Sequence, residues 1–245
     1  MNRHLLNAKR RTKSLSPRVE SLELRHMPAC VLAAGAGLLT ITCGPADDTV
    51  SLNDPAIFGG VTGMATGVGA FGPIWGINTI VVDSGAGNDF VVYSLNADLL
   101  AGVTRKVTVK MQDGNDELRA FANADVDIAA GARLELNGYG GNGNDFMGMR
   151  YQGELDGEIR YTADGQAGHD TLVAYQRPDC GSTGMIFARA YGSAGDDQLT
   201  MEIRKQCLAD PVVVDALIDG GLGFDTAWHT ANVGVVGIQI DNLVV

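Results

Sequence analysis

A tight acidic loop recurs seven times along this 245-residue chain. It reads GPADD at 44–48, SGAGND at 84–89, QDGND at 112–116, GGNGND at 140–145, GQAGHD at 165–170, GSAGDD at 192–197 and GGLGFD at 220–225. The closing aspartates are Asp48, Asp89, Asp116, Asp145, Asp170, Asp197 and Asp225, separated by 41, 27, 29, 25, 27 and 28 residues. A period that holds over five successive intervals marks a repeat architecture, in which each unit buries its apolar face only by stacking on its neighbours.

Positions counted from each aspartate keep their character. Two residues on stand Val50, Val91, Leu118, Met147, Leu172, Leu199 and Ala227, all apolar; four on stand Leu52, Tyr93, Ala120, Met149, Ala174 and Met201. The odd position between them is mixed: Ser51, Val92, Arg119, Gly148, Val173, Thr200 and Trp228. That alternation predicts a strand with one buried face. Nine residues before the aspartate, Ile80, Val107, Leu136, Tyr161, Ala188 and Ala216 mark a second strand. Ten after it, Leu99, Val126, Leu155, Cys180, Cys207 and Val235 mark a third. The expected fold is all-β: a right-handed parallel β-helix (β-solenoid) of about seven turns, each with three short strands. A sandwich of antiparallel strands also alternates, but gives no reason for the columns to stay in phase.

Composition agrees. Thirty-three glycines against seven prolines are too many for a helical bundle and lack the triplet period of collagen. The net charge of −11 argues against nucleic acid as a partner. No apolar run reaches the ~18 residues of a membrane span. Residues 1–28 are basic, with Arg3, Lys9, Arg10, Arg11, Lys13, Arg18 and Arg25 against Glu20 and Glu23, and carry no apolar period. They are expected to lack order alone, and the solenoid to occupy 29–245. The long first interval reflects a Gly-rich insertion at 55–76, containing Phe58, Phe71 and Trp75, read as a cap on the open first turn rather than a binding loop.

Residues 140–147, GGNGNDFM, fit the nonapeptide pattern G-G-x-G-x-D-x-U-x in full, and 220–227 fit except for small Ala227. The other loops lose a glycine or two, to Ser84, Gln112 or Ser193. In these residues the chain resembles the RTX (haemolysin-type) calcium-binding repeat family. The resemblance implies Ca²⁺ held by Asp89, Asp116, Asp145, Asp170, Asp197 and Asp225, with carbonyls of tight turns at Gly85, Gly87, Gly114, Gly141, Gly143, Gly168, Gly195, Gly221 and Gly223. One nonapeptide per turn, rather than several back to back, implies a single column of sites. Electrostatics points the same way. Carboxylates stacked ~4.8 Å apart repel by roughly 3–4 kcal/mol at an effective dielectric near 20, and all-oxygen ligands favour Ca²⁺. Asp83, Asp113, Asn142, Asp164 and Asp219 add nearby oxygens. The alternative is plain turn closure, with each aspartate accepting local backbone N–H bonds.

PRVESLELRHMPA at 17–29 resembles the LEPR-XLL-type sorting motif of bacterial surface proteins through Leu22, Glu23, Arg25 and Met27, with Leu24 in place of the family's proline. That resemblance implies export to the cell surface or the medium. Cys180 and Cys207 share one phase and are expected to stack pointing inward, as a disulfide or as free thiols; Cys30 and Cys43 form a weaker pair. The expected function is non-enzymatic calcium binding by a monomer, with a cell-surface polysaccharide or protein as a candidate partner. The alternative is a polysaccharide lyase-like enzyme, for which Arg177 and Arg204 in one phase are the only supporting residues. No Ser-His-Asp or G-x-S-x-G arrangement appears.

Overall fold

The computed structural model describes residues 30–56, 60–123, 125–231 and 240–241, and every regular element among them is a β-strand. The segment 1–28 with its sorting motif, Phe58 and Val235 lie outside the described residues. β1 (Cys30–Gly35) and β2 (Leu38–Cys43) form an antiparallel hairpin. Ala36 and Gly37 both take positive φ, 49° and 82°, and so supply the tight two-residue turn. β3 (Thr49–Asp54), β4 (Val61–Ala65) and β5 (Gly69–Ile74) form an antiparallel meander.

From there two kinds of strand alternate. β6 (Thr79–Asp83), β8 (Thr104–Asp113), β10 (Arg133–Asn142), β12 (Glu158–Ala167), β14 (Met185–Tyr191), β16 (Val213–Asp219) and β18 (Ile240–Asp241) continue the sheet begun by β1 and β2. β7 (Phe90–Leu95), β9 (Glu117–Ala122), β11 (Phe146–Gly153), β13 (Thr171–Pro178), β15 (Gln198–Ile203) and β17 (Thr226–Ala231) stack on β3 in the second sheet. All pairings from β2 and β3 onward along the stack are parallel. The protein is a parallel β-solenoid. Seven loops enclose six complete turns between Asp48 and Asp225, one fewer than expected.

The apolar columns are in register as read from the sequence. Val50, Val91, Leu118, Met147, Leu172, Leu199 and Ala227 are direct partners along the second sheet. Ile80, Val107, Leu136, Tyr161, Ala188 and Ala216 are partners along the first, and all are buried. Their inner faces meet in one core, each large side chain contributing ~1.5–3 kcal/mol by leaving water.

The third strand is corrected to a corner. Among the described residues it survives only as single bridges joining Leu99 to Ile128 and Ile128 to Leu155. Val126 is buried but is not the partner, because the 29-residue interval between Asp116 and Asp145 shifts the register by two positions. Cys180 and Cys207 are joined, with Cα atoms 4.9 Å apart, but on the outside: Cys180 is exposed and Cys207 half-buried. By closing a 27-residue loop the bond contributes about 3–4 kcal/mol on a chain-entropy argument. Cys30 and Cys43 are also joined, across the first hairpin.

The start of the stack is closed by β1 on one sheet and by β4 and β5, drawn from the Gly-rich insertion, on the other. Beneath them lies a buried ion pair that the sequence did not announce. Arg105 Nε is 2.7 Å from Asp54 Oδ2, and these side chains are 2% and 0% exposed. Arg105 also donates to the carbonyls of Ile77 and Ala56, and Tyr93 Oη donates to Asp54 at 2.7 Å. Burial pushes the Asp54 pKa up, and the Arg105 charge and the Tyr93 hydroxyl pull against it. Arg105 thus ties the insertion to the first turns. Replacing it, as in Arg105→Met, strands a buried carboxylate and should cost about 3–5 kcal/mol in urea unfolding; a loss under ~1 kcal/mol would mean the pair braces nothing.

Candidate metal centre: a buried aspartate column

All seven closing aspartates are buried, at 1–3% exposure. Their burial follows from the loop: the strand that begins one residue later turns its even positions inward, and the aspartate is the first of that set. Each then joins the next turn. The backbone N–H of Asp48 donates to Asp89 Oδ1 at 2.7 Å, and that of Asp89 to Asp116 Oδ1 at 2.6 Å. The series continues through Asp145, Asp170, Asp197 and Asp225 at 2.8–3.0 Å. The aspartate therefore closes the gap between turns, not its own turn, and the predicted site residues do stand in one column.

The second oxygen of each carboxylate is different. Oδ2 of Asp89, Asp116, Asp145, Asp170, Asp197 and Asp225 is buried without a hydrogen-bond partner, and Asp48 has neither oxygen paired. Beside Asp89 the Ser84 hydroxyl is near, but it donates to the Met111 carbonyl at 3.0 Å. In the later turns the space Oδ2 occupies is left by a glycine five positions earlier, at Gly140, Gly165, Gly192 and Gly220. A Cβ on Gly140 would collide with Asp145 Oδ2 and with the Gly165 carbonyl oxygen of the next turn, and one on Gly192 with Asp197 Oδ2 and the Gly220 carbonyl. At these two turns carboxylate and carbonyl oxygens thus flank a bare glycine. Burial makes the column's carboxylates resist ionisation: Asp89 is pushed up to about 6, and Asp116 and Asp170 to about 7, against the N–H bond each accepts, with neighbouring carboxylates adding to the rise. Asp48, Asp145 and Asp197 are raised as well, again chiefly by burial.

The glycines divide into two sets. Four residues before the aspartate, positive φ is shared by Gly85, Gln112, Gly141, Gln166, Ser193 and Gly221, so side chains are tolerated there. Two residues before it only glycine occurs, at Gly87, Gly114, Gly143, Gly168, Gly195 and Gly223 in the parallel stack. There a Cβ would run into the carbonyl oxygen of the glycine one turn earlier: Gly143 meets Gly114, and Gly168 meets Gly143. Gly143→Ala should therefore cost about 1–3 kcal/mol or more, whereas Gln112→Gly should be nearly neutral, both read by chemical denaturation; equal costs would contradict the stacking contact.

The additional oxygens expected near the site lie on the other side of the loop. Asp113 and Asn142 are exposed and bonded to each other at 2.7 Å; Gln112 reaches Asp83 and Ser193 reaches Asp164. A second ladder had gone unread in the residue just before each closing aspartate. Asn88 N–H donates to Asp47, Asn115 to Asn88, Asn144 to Asn115, His169 to Asn144, Asp196 to His169 Nδ1 and Phe224 to Asp196, all at 2.7–3.0 Å. The signal was present, since Asp, Asn or His fills that position in six of the seven loops. The two ladders run in opposite senses along the stack.

The donor set is all oxygen, which suits a hard cation, and calcium in particular. The carboxylates are strung out in a line, so the rest of a coordination shell has to come from loop carbonyls. Cys30, Cys43 and Asp48 do cluster within 4.8 Å, but the two sulfurs are spent on a disulfide. No protein-family model matches the chain, and no curated protein or solved structure matches it either.

The raised pKa values fix the sign of a pH effect. A carboxyl whose folded pKa lies above its unfolded value stabilises the fold at low pH, and that contribution drains away as pH rises through the folded pKa. Metal-free protein should therefore melt at higher temperature at pH 5 than at pH 8, the loss running upward from the ordinary value of 3.8 and ending above the values of about 6 and 7 of Asp89, Asp116 and Asp170. A melting temperature that rises over that range in chelator would contradict the column's electrostatics.

Proposed function

We propose that the protein is an exported, non-enzymatic solenoid that takes up calcium along the aspartate column, in the manner of the repeat family its loops resemble. One observation carries the reading: turn after turn presents a buried carboxylate oxygen with no hydrogen-bond partner, and at Asp145 and Asp197 a carbonyl oxygen of the next turn lies beside the same glycine. Oxygen acceptors alone meet there, and like charges repeat along the axis. Asp89, Asp116, Asp145, Asp170, Asp197 and Asp225, with the carbonyls of the loops, would hold the ions. Bound calcium would supply the positive charge that the column lacks, coupling ion uptake to stability. Export is supported by the pairing of all four cysteines in disulfides, which persist in oxidising compartments. A lyase-like reading draws no comparable support: Arg177 and Arg204 both pair with Glu202, and His169 serves the outer ladder.

Calorimetric titration with Ca²⁺ at pH 7.5 should show several equivalents bound, and the melting temperature should fall in chelator and recover in millimolar Ca²⁺. Asp145→Asn is the sharper variant. Its amide oxygen can keep the Asp116 N–H bond while the charge is lost, so it should remain folded and bind fewer ions. No heat of binding together with an unchanged melt would retire calcium and leave protons as the neutralising agent.

A further inference from the structure

On the first sheet's outward face Lys106 pairs with Glu135, Arg189 with Asp215, and Arg133 and Arg160 share Glu158. On the second, arginines likewise share an acid, but beside aromatic rings. Arg150 is exposed and reaches only Gln152, at 3.5 Å. Arg177 and Arg204 lie in adjacent turns and share the single carboxylate of Glu202, at 2.9 and 3.4 Å. Their side chains remain 48% and 51% exposed, while Glu202 is 17% exposed. The strand register sets Arg150 beside Tyr175, Tyr175 beside Glu202, and Gln152 beside Arg177. Arg177 and Arg204 thus share one carboxylate, and Arg150 lies across Tyr175 from it, on a protein whose net charge is −11.

Next to them runs an apolar groove. It is lined by Phe121, Phe146, Gly148 and Tyr175, with Arg119 and Arg150 at its edges. Gly148 makes the depression: a Cβ there would press on the Phe146 ring. Tyr175 is 38% exposed, and Arg119 is tied down by Glu117 and stacks over Phe90. Ring faces beside unsatisfied guanidinium forks suit a ligand that is itself part apolar and part anionic along its length. Arginine is suited to carboxylate and sulfate because its donors form a planar fork.

We propose that this face of the second sheet binds an acidic polysaccharide, sugar rings lying on Phe121, Phe146 and Tyr175 and carboxylate or sulfate groups meeting Arg150, Arg177 and Arg204. Local charge complementarity selects an anionic glycan over a neutral one, and the aromatic groove selects a glycan over a bare polyanion. The surface uses none of the aspartate column and stands whether or not calcium binds there.

The test is binding of the full chain, at one fixed free-calcium level and physiological salt, to dextran sulfate, oligogalacturonate, unmodified dextran and poly-glutamate. The expected result is binding to one or both acidic glycans, weakened at least tenfold by the double variant Arg177→Ala/Arg204→Ala and by Tyr175→Ala, with melting temperatures within a few degrees of the parent. Sulfate and carboxylate specificity are told apart by which of the two glycans binds. Binding to dextran as tight as to dextran sulfate would overturn the role of the arginines. Equal binding to poly-glutamate would overturn the role of the rings. No binding to either acidic glycan, or dimerisation in sedimentation that Tyr175→Ala abolishes, would overturn the proposal, the latter by assigning the face to a second copy.

Discussion

At every acidic loop of this solenoid a buried hydrogen bond joins one turn to the next, from the backbone N–H of one closing aspartate to the carboxylate of the following one. The bond has a geometric consequence. To accept from the neighbour's backbone, the carboxylate must lie along the stacking axis, so its two oxygens are committed differently. Oδ1 is satisfied, and Oδ2 is pressed against the residue five positions earlier. That residue has to be small where the loops are tightest, and Gly140, Gly165, Gly192 and Gly220 stand there. In the earlier turns the same place is held by Cys43, Ser84 and Met111, where the pattern of the repeat is most degraded.

The same bond generates the electrostatic problem that the column poses. An aspartate ladder in water would cost little, because each neighbouring charge is screened. In the solenoid the loops exclude water, and desolvation is the largest influence on every perturbed member of the column. The outer ladder of Asp47, Asn88, Asn115, Asn144, His169 and Asp196 shows the contrast. It does the same job of joining turns with three amides, a histidine and two carboxylates, all exposed to solvent. A structural role alone would be served as well by asparagine inside. Ionisable carboxyls at seven successive buried positions are the feature that the proposed counter-ion would answer.

The sequence made the columns legible because a 27-residue turn repeats its inward residues with few slips; Val50 to Ala227 and Ile80 to Ala216 were found in register on phase alone. It misplaced what depends on length changes. The interval of 29 before Asp145 moved the corner contact from Val126 to Ile128, two residues along, without changing the apolar character of either. Cys180 and Cys207 were correctly paired by phase yet sit outside, because beyond the second strand the chain rounds a corner where the inward-outward alternation of a strand no longer applies. Arg105 was illegible for another reason. It occurs once, so no repeat could flag it, and its partner Asp54 lies 51 residues away in sequence.

Departures from the repeat mark where a solenoid does something particular. The first turns depart by inserting β4 and β5 and burying Arg105 against Asp54, a solution to the open end of two growing sheets. The middle of the second sheet departs on its outer face, where Gly148 interrupts a column of larger residues and aromatic rings replace threonine and serine. The second change leaves the inward positions untouched, and these must match their neighbours above and below. Outward positions carry no such obligation, so a cluster of Phe121, Phe146, Tyr175 and underpaired arginines there is not required by the fold. Stacking decides the inside of this protein, and its outside is free to be shaped by what it meets.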